Sequence, residues 1–205
     1  MKLTLKEGKA NKIHLLLDGE YRMTVDRDFI ALSGITNNME LDDAALEDLS
    51  GAISARRAFN KAADLLSRRD HSSAELLQKL RQKGFDAKAA QSAVEKLQDF
   101  GYLDDRRFAE TYAAELVCSK GFGKRRIATE LFRKGIDREI ISDVTDALET
   151  PEDALPALIE RKFSRNLTTE KGVQRTFNAL VRMGYAPGEI KQALQQVSET
   201  LEEIE

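Results

Sequence analysis

Lys124, Arg125 and Arg126 stand together near the start of SKGFGKRRIATELFRKG, Ser119 to Gly135, and cations grouped in this way either bind an anion or remain solvated. The rest of the stretch has helical apolar spacing, with Ile127, Ala128, Leu131 and Phe132 on one face and Gly121 and Gly123 marking its start. The first turn of a helix is the positive end of its dipole, where acidic side chains stabilise and cations do not. Free helix N–H groups, a Gly-Phe-Gly entry and converging cations suit a phosphate. From Ser119 to Arg138, seven Lys or Arg stand against only Glu130 and Asp137, in a chain whose net charge is -3. Arg126 and Arg133 are expected opposite Ile127 and Leu131, with Glu130 between them and Lys134 at the flank.

Other charged groups have plainer explanations. Arg68, Arg69, Lys79, Arg81 and Lys83 form a second basic group, and Arg106 and Arg107 a third. Lys79, Arg81 and Lys83 precede Gly84, where cations stabilise a helix C-terminus whatever else they do. Asp104 and Asp105 precede a helix and read as N-caps rather than an acid/base pair. MELDDAALED and the terminal ETLEEIE are acidic stretches that solubilise or meet a basic partner.

His14 and His71 have no second His or Cys at metal spacing, so neither zinc nor another cofactor is expected. There is no phosphate-binding glycine loop, dinucleotide fingerprint or nucleophile elbow, and no catalytic constellation. The single cysteine, Cys118, cannot form an internal disulfide and is expected to pack on an apolar helix face. No run of about 18 apolar residues and no basic-then-apolar start is present, which points to a cytoplasmic protein without a membrane span.

The elements that position these residues are mainly helical, as 6% aromatics, no Trp and three Pro suggest. The exception is the beginning, where Lys12 to Leu17 and Tyr21 to Val25 flank Asp18-Gly19 as a tight β-hairpin. A short helix over Asp28 to Leu32 with a Gly34 stop follows, and a lone hairpin must lean on something else. From Leu41 the period is helical, with Asp42 or Asp43 as N-cap and two helices expected, broken near Ser50-Gly51.

Three segments, from Ser72, Gly123 and Gly172, then align without a gap. Leu80, Leu131 and Leu180 coincide, as do Gly84, Gly135 and Gly184, then Phe85, Ile136 and Tyr185, and finally Leu97, Leu148 and Val197. The glycine spacing of 51 and then 49 residues allows three helices per unit. Each glycine is placed as a left-handed C-terminal cap, and Ser72 with Glu75 forms a capping box. The expected architecture is a β-hairpin module (1–50) and three three-helix repeats (51–105, 106–150, 151–205) in an elongated array. At the opening position the first repeat has Ser73, Ala74 and Glu75 and the third has Val173, Gln174 and Arg175, so the architecture does not demand a basic triplet.

The repeated L..KG units, the junction GYLDD.RFA and the following KG.G..RI..EL..KGI, over about residues 58 to 149, resemble the RecX family of regulators of the recombinase RecA. The last repeat resembles the family less closely, and the hairpin resembles an extension of only some members. The resemblance implies a non-enzymatic monomer in the groove of the RecA–DNA filament, inhibiting RecA and so regulating recombination and DNA repair. Its DNA or filament contacts would map onto Arg68, Arg69, Arg106, Arg107, Lys120, Lys124, Arg125 and Arg126, with Arg133 and Lys134 beside them. The partners implied are the RecA filament and the phosphate backbone of single- or double-stranded DNA. Two other readings fit the residues: a helix-turn-helix transcription regulator, which would want Asn or Gln near the start of its recognition helix, and a protein-only scaffold.

Overall fold

A computed structural model describes residues 1–149, 151 and 153–199, and the helical backbone on to Ile204. The side chains that end the acidic tail, from residue 200 on, lie outside the described residues. Two compact units are present: Met1–Arg69 with Leu76–Tyr102, and Asp70–Glu75 with Leu103–Glu205.

In the first unit, strands β1 (Lys2–Glu7), β2 (Lys12–Leu17), β3 (Glu20–Asp26) and β4 (Met39–Glu40) form an antiparallel sheet in the order β3-β2-β1-β4. The β2–β3 hairpin turns at Asp18 and Gly19, both at positive φ (50° and 88°), as a primed turn requires. β1 and β4 enlarge the hairpin to four strands. Leu3, Ile13, Leu15, Leu17 and Val25 are buried with Leu41 and Ile53, so the sheet leans on the long helix that follows. Helix α1 (Arg27–Ser33) stops at Gly34, φ 68°.

Helix α2 (Asp43–Leu66) starts at Asp42, whose carboxylate accepts from the Ala45 amide at 2.8 Å. It runs unbroken through Ser50 and Gly51, where two helices were expected. An internal glycine costs about 1 kcal/mol, and the burial of Ile53, Ala58 and Ala62 on the same helix outweighs it. Helix α3 (Ser73–Gln82) begins in the second unit and ends in the first, and α4 (Ala87–Asp99) completes the first.

The second unit holds α5 (Asp105–Glu115), one π-helical turn (Leu116–Lys120), α6 (Lys124–Arg133) and α7 (Arg138–Ala147). They are followed by α8 (Ala154–Phe163), a short 3-10 turn (Ser164–Asn166), α9 (Glu170–Arg182) and α10 (Pro187–Ile204). Leu80, Leu131 and Leu180 are each 0% exposed, and Gly84, Gly135 and Gly184 sit at φ 88°, 74° and 95°. The same bond closes all three turns: the amides of Phe85, Ile136 and Tyr185 donate to the carbonyls of Leu80, Leu131 and Leu180, each at 3.2 Å. The last aligned position is less regular. Leu97 and Val197 are buried, whereas α7 ends at Ala147 and Leu148 turns extended and half-buried. Cys118 is exposed in the π-helical turn rather than packed, because that turn departs from the periodicity that would have carried it inward. Among the described residues no helix is long and apolar enough to cross a membrane.

Candidate nucleic-acid interface

The start of α6 is built by close contact with the α9–α10 turn. The Gly123 amide donates to the Met183 carbonyl at 2.8 Å, the Arg125 amide to the Gly184 carbonyl at 3.3 Å, and the Arg126 amide to Gly123 at 3.0 Å. The Tyr185 hydroxyl donates to the Gly121 carbonyl at 3.1 Å. Two glycines make the approach possible: a Cβ on Gly123 would lie 2.7 Å from the Gly184 carbonyl carbon, and one on Gly184 would lie 2.3 Å from the Arg126 nitrogen. The amides of Gly123, Arg125 and Arg126 are therefore taken up within the fold, where the sequence predicts free N–H groups. An anion at this end would meet chiefly side chains.

The cations separate by their partners. Arg126, 35% exposed at its side chain, pairs with Glu130 at 2.7 Å and lies over the Phe122 ring at 5.4 Å. It is not on the outermost face. Arg133 reaches the same carboxylate at 3.1 Å, and Lys134 reaches Glu75 at 3.4 Å and lies 5.5 Å from the Tyr112 ring centre. Arg106 pairs with Asp143 at 2.5 Å, and this hydrogen bond and charge raise the guanidinium pKa further. Arg68 contacts Asp64 at 3.3 Å, whose carboxyl is held low first by the Lys61 hydrogen bond.

Lys124, Arg125, Arg107 and Lys120 are exposed. Lys124 reaches only the Asp146 carbonyl, at 3.5 Å, and among the described residues no carboxylate pairs with any of the four. Lys162 donates to the Lys120 carbonyl at 3.3 Å and adds a cation to this place. Its distance of 42 residues in sequence explains why spacing did not reveal it. The structure thus brings Lys120, Lys124, Arg125 and Lys162 to the entry of α6, with Arg126 and Arg133 along the helix. Arg68 and Arg69 belong to the first unit.

Phe132, expected on the apolar face, is 58% exposed. The buried edge of α6 is Ile127 and Leu131, and one further residue turns the helix about 100° away from it. The face farthest from the core carries Arg125, Thr129, Phe132 and Arg133, all exposed.

The acidic residues act structurally. Asp104 accepts from the Arg107 amide at 3.0 Å as an N-cap, and Asp105 accepts from the Ser73 amide at 2.7 Å. Ser72 Oγ accepts from the Glu75 amide at 3.1 Å and donates to the Lys134 carbonyl. Glu75 lies 3.3 Å from Nδ1 of the buried His71, and His14 Nδ1 is 2.7 Å from the Thr24 hydroxyl.

Two family models match the chain, one described as RecX, first three-helix domain, over residues 58–97 and one as RecX, second three-helix domain, over residues 104–144. Regulatory protein RecX of Caldanaerobacter subterraneus is 28% identical over 93% of this chain and 95% of its own length. Regulatory protein RecX of Bacillus velezensis is 29% identical over 95% of this chain and 76% of its own. A crystal structure of a regulatory protein RecX superposes with a TM-score of 0.76 at 20% identity, covering 97% of this chain and 98% of that one. The RecX structure from Lactobacillus salivarius superposes with a TM-score of 0.64 at 21% identity, covering 71% of this chain and 97% of that one. At these identities the two structures speak for the fold.

Proposed function

The chain belongs to the RecX family of regulatory proteins, and from that premise we propose that it is a non-enzymatic inhibitor of the recombinase RecA. It acts as a cytoplasmic monomer that binds in the groove of the RecA–DNA filament and so restrains recombination and repair. A strand module (1–50) and three helical repeats (51–105, 106–150, 151–205) are the working division of the chain. The observation that supports the DNA part is a set of exposed cations, Lys120, Lys124 and Arg125 at the entry of α6 and Arg107 on α5, with which no carboxylate pairs among the described residues, in a chain of net charge -3. Lys120, Lys124, Arg125 and Arg107 are the primary phosphate contacts. Arg126, Arg133, Lys134, Arg106, Arg68 and Arg69 contribute after exchanging internal partners or from the flanks.

A titration of RecA ATPase on circular single-stranded DNA tests this. The wild-type chain lowers hydrolysis, and the Lys120→Ala, Lys124→Ala, Arg125→Ala triple variant needs about tenfold more protein for the same effect. Equal potency of the variant removes the patch from the mechanism. A wild-type chain without effect on RecA removes the reading itself.

A further inference from the structure

We infer that Phe132 is a base-stacking residue, and that the outward face of α6 selects single-stranded over double-stranded nucleic acid. This deepens the proposed function and rests on its claim that the α6 cations face a polyanion. The observations are the ring's exposure, its neighbours and its counterparts in the other repeats.

Phe132 is 58% exposed on the face of α6 that also carries Arg125 and Arg133. Helical rise places Arg125 about 10 Å along the axis from Phe132 on the same side of the helix, and Arg133, the next residue, projects about 100° further round. The acidic side chain nearest in sequence on the helix, Glu130, is 17% exposed and already shared between Arg126 and Arg133. The exposed charge that α6 itself sets on this face is therefore cationic, and its complement is anionic.

The fold does not ask for an aromatic at this position. In the aligned helices the same register is Arg81 in α3 and Val181 in α9, both exposed. Phe132 makes no contact with another aromatic ring among the described residues.

Among anionic partners, a duplex turns its phosphates outward and keeps its base faces stacked inside, so it meets the cations and offers the ring nothing. A single strand offers both, because its unstacked bases lie on exposed aromatics while cations track the backbone. An acidic protein surface would need an apolar pocket at the matching place, whereas every nucleotide of a single strand supplies a base face.

The full-length chain is titrated against a fluorescein-labelled oligothymidylate and against a duplex of the same length, by anisotropy, without RecA. Phe132→Ala weakens the single-strand complex about tenfold, leaves its salt dependence unchanged and leaves duplex binding as in the wild type. Phe132→Trp restores affinity, and its fluorescence is quenched by the oligonucleotide. Circular dichroism checks the fold of each variant.

If Phe132→Ala binds the oligonucleotide as well as the wild type while Arg125→Ala weakens it, stacking is overturned and the phosphate contacts stand. If Phe132→Ala keeps its affinity for DNA but loses its effect on RecA ATPase, the ring anchors a protein and the inference is overturned. Wild-type protein that binds neither oligonucleotide overturns the polyanion claim beneath it.

Discussion

Tyr185 shows how one side chain serves both a turn and its neighbour. Its ring follows Gly184 in the α9–α10 turn and is 8% exposed, while its hydroxyl donates to Gly121 at the end of the π-helical turn. Tyr185→Phe keeps the ring and removes one hydrogen bond, leaving the Gly121 carbonyl without that donor, for a loss of about 1 kcal/mol read from the urea midpoint. Burial first, and the charge of Glu189 second, push the Tyr185 hydroxyl above its ordinary pKa. The folded chain then keeps a proton that the unfolded chain has released. Its contribution is complete below about pH 10 and fades as pH rises through the folded value. The variant should therefore lose part of the alkaline fall in stability, and an unchanged alkaline limb in urea titrations would contradict the assignment. Arg125 and Arg126 teach a related lesson, since adjacent residues of one type have different work: one guanidinium is exposed, the other is locked between Glu130 and Phe122.

The glycine-capped turns make the element-scale argument testable, because three of them share one hydrogen-bond pattern and differ in surroundings. An alanine at any of them pays about 1–2 kcal/mol for a left-handed backbone. At Gly84 nothing lies within 4 Å of the added carbon, so Gly84→Ala should show that amount and no more. At Gly184 the carbon would press on the backbone of Arg126 at 2.3 Å, so Gly184→Ala should be clearly worse and should loosen the start of α6. Equal denaturant midpoints for the two variants would contradict a tight α6 contact. Much of this scale was readable from sequence: the β2–β3 turn, the repeated glycines, the buried leucines before them and the caps at Asp42 and Asp104 are all local patterns. What was not readable depends on partners distant in the chain. The occupied amides of Gly123 and Arg125 depend on residues 183 and 184, the arrival of Lys162 depends on a separate helix, and Phe132 lies one residue past a boundary that only packing defines. Gly51 misled for a different reason, since its local preference for a break is overridden by the burial of the helix around it.

At the scale of the molecule, the distribution of charge matters more than its sum. The chain as a whole is acidic, and Glu40, Asp42, Asp43, Glu47 and Asp48 are exposed along the start of α2 and before it. Such a chain has no general attraction for a polyanion, so the proposed DNA affinity rests on local groups of cations, first of all the one at α6, and is sensitive to salt. Each phosphate contact to a single strand contributes about 0.7 to the slope of log affinity against log salt. Removing Lys124 and Arg125 together should then flatten that slope by about 1.4 for an oligothymidylate, while replacing Lys79 and Arg81, which sit in the last turn of α3 and serve its dipole, should leave it near the wild-type value. Salt titrations of the two double variants distinguish a localised site from a diffuse one: equal slopes would mean that the cations act as a general field, and the acidic remainder of the chain gives no physical reason for such a field to attract DNA.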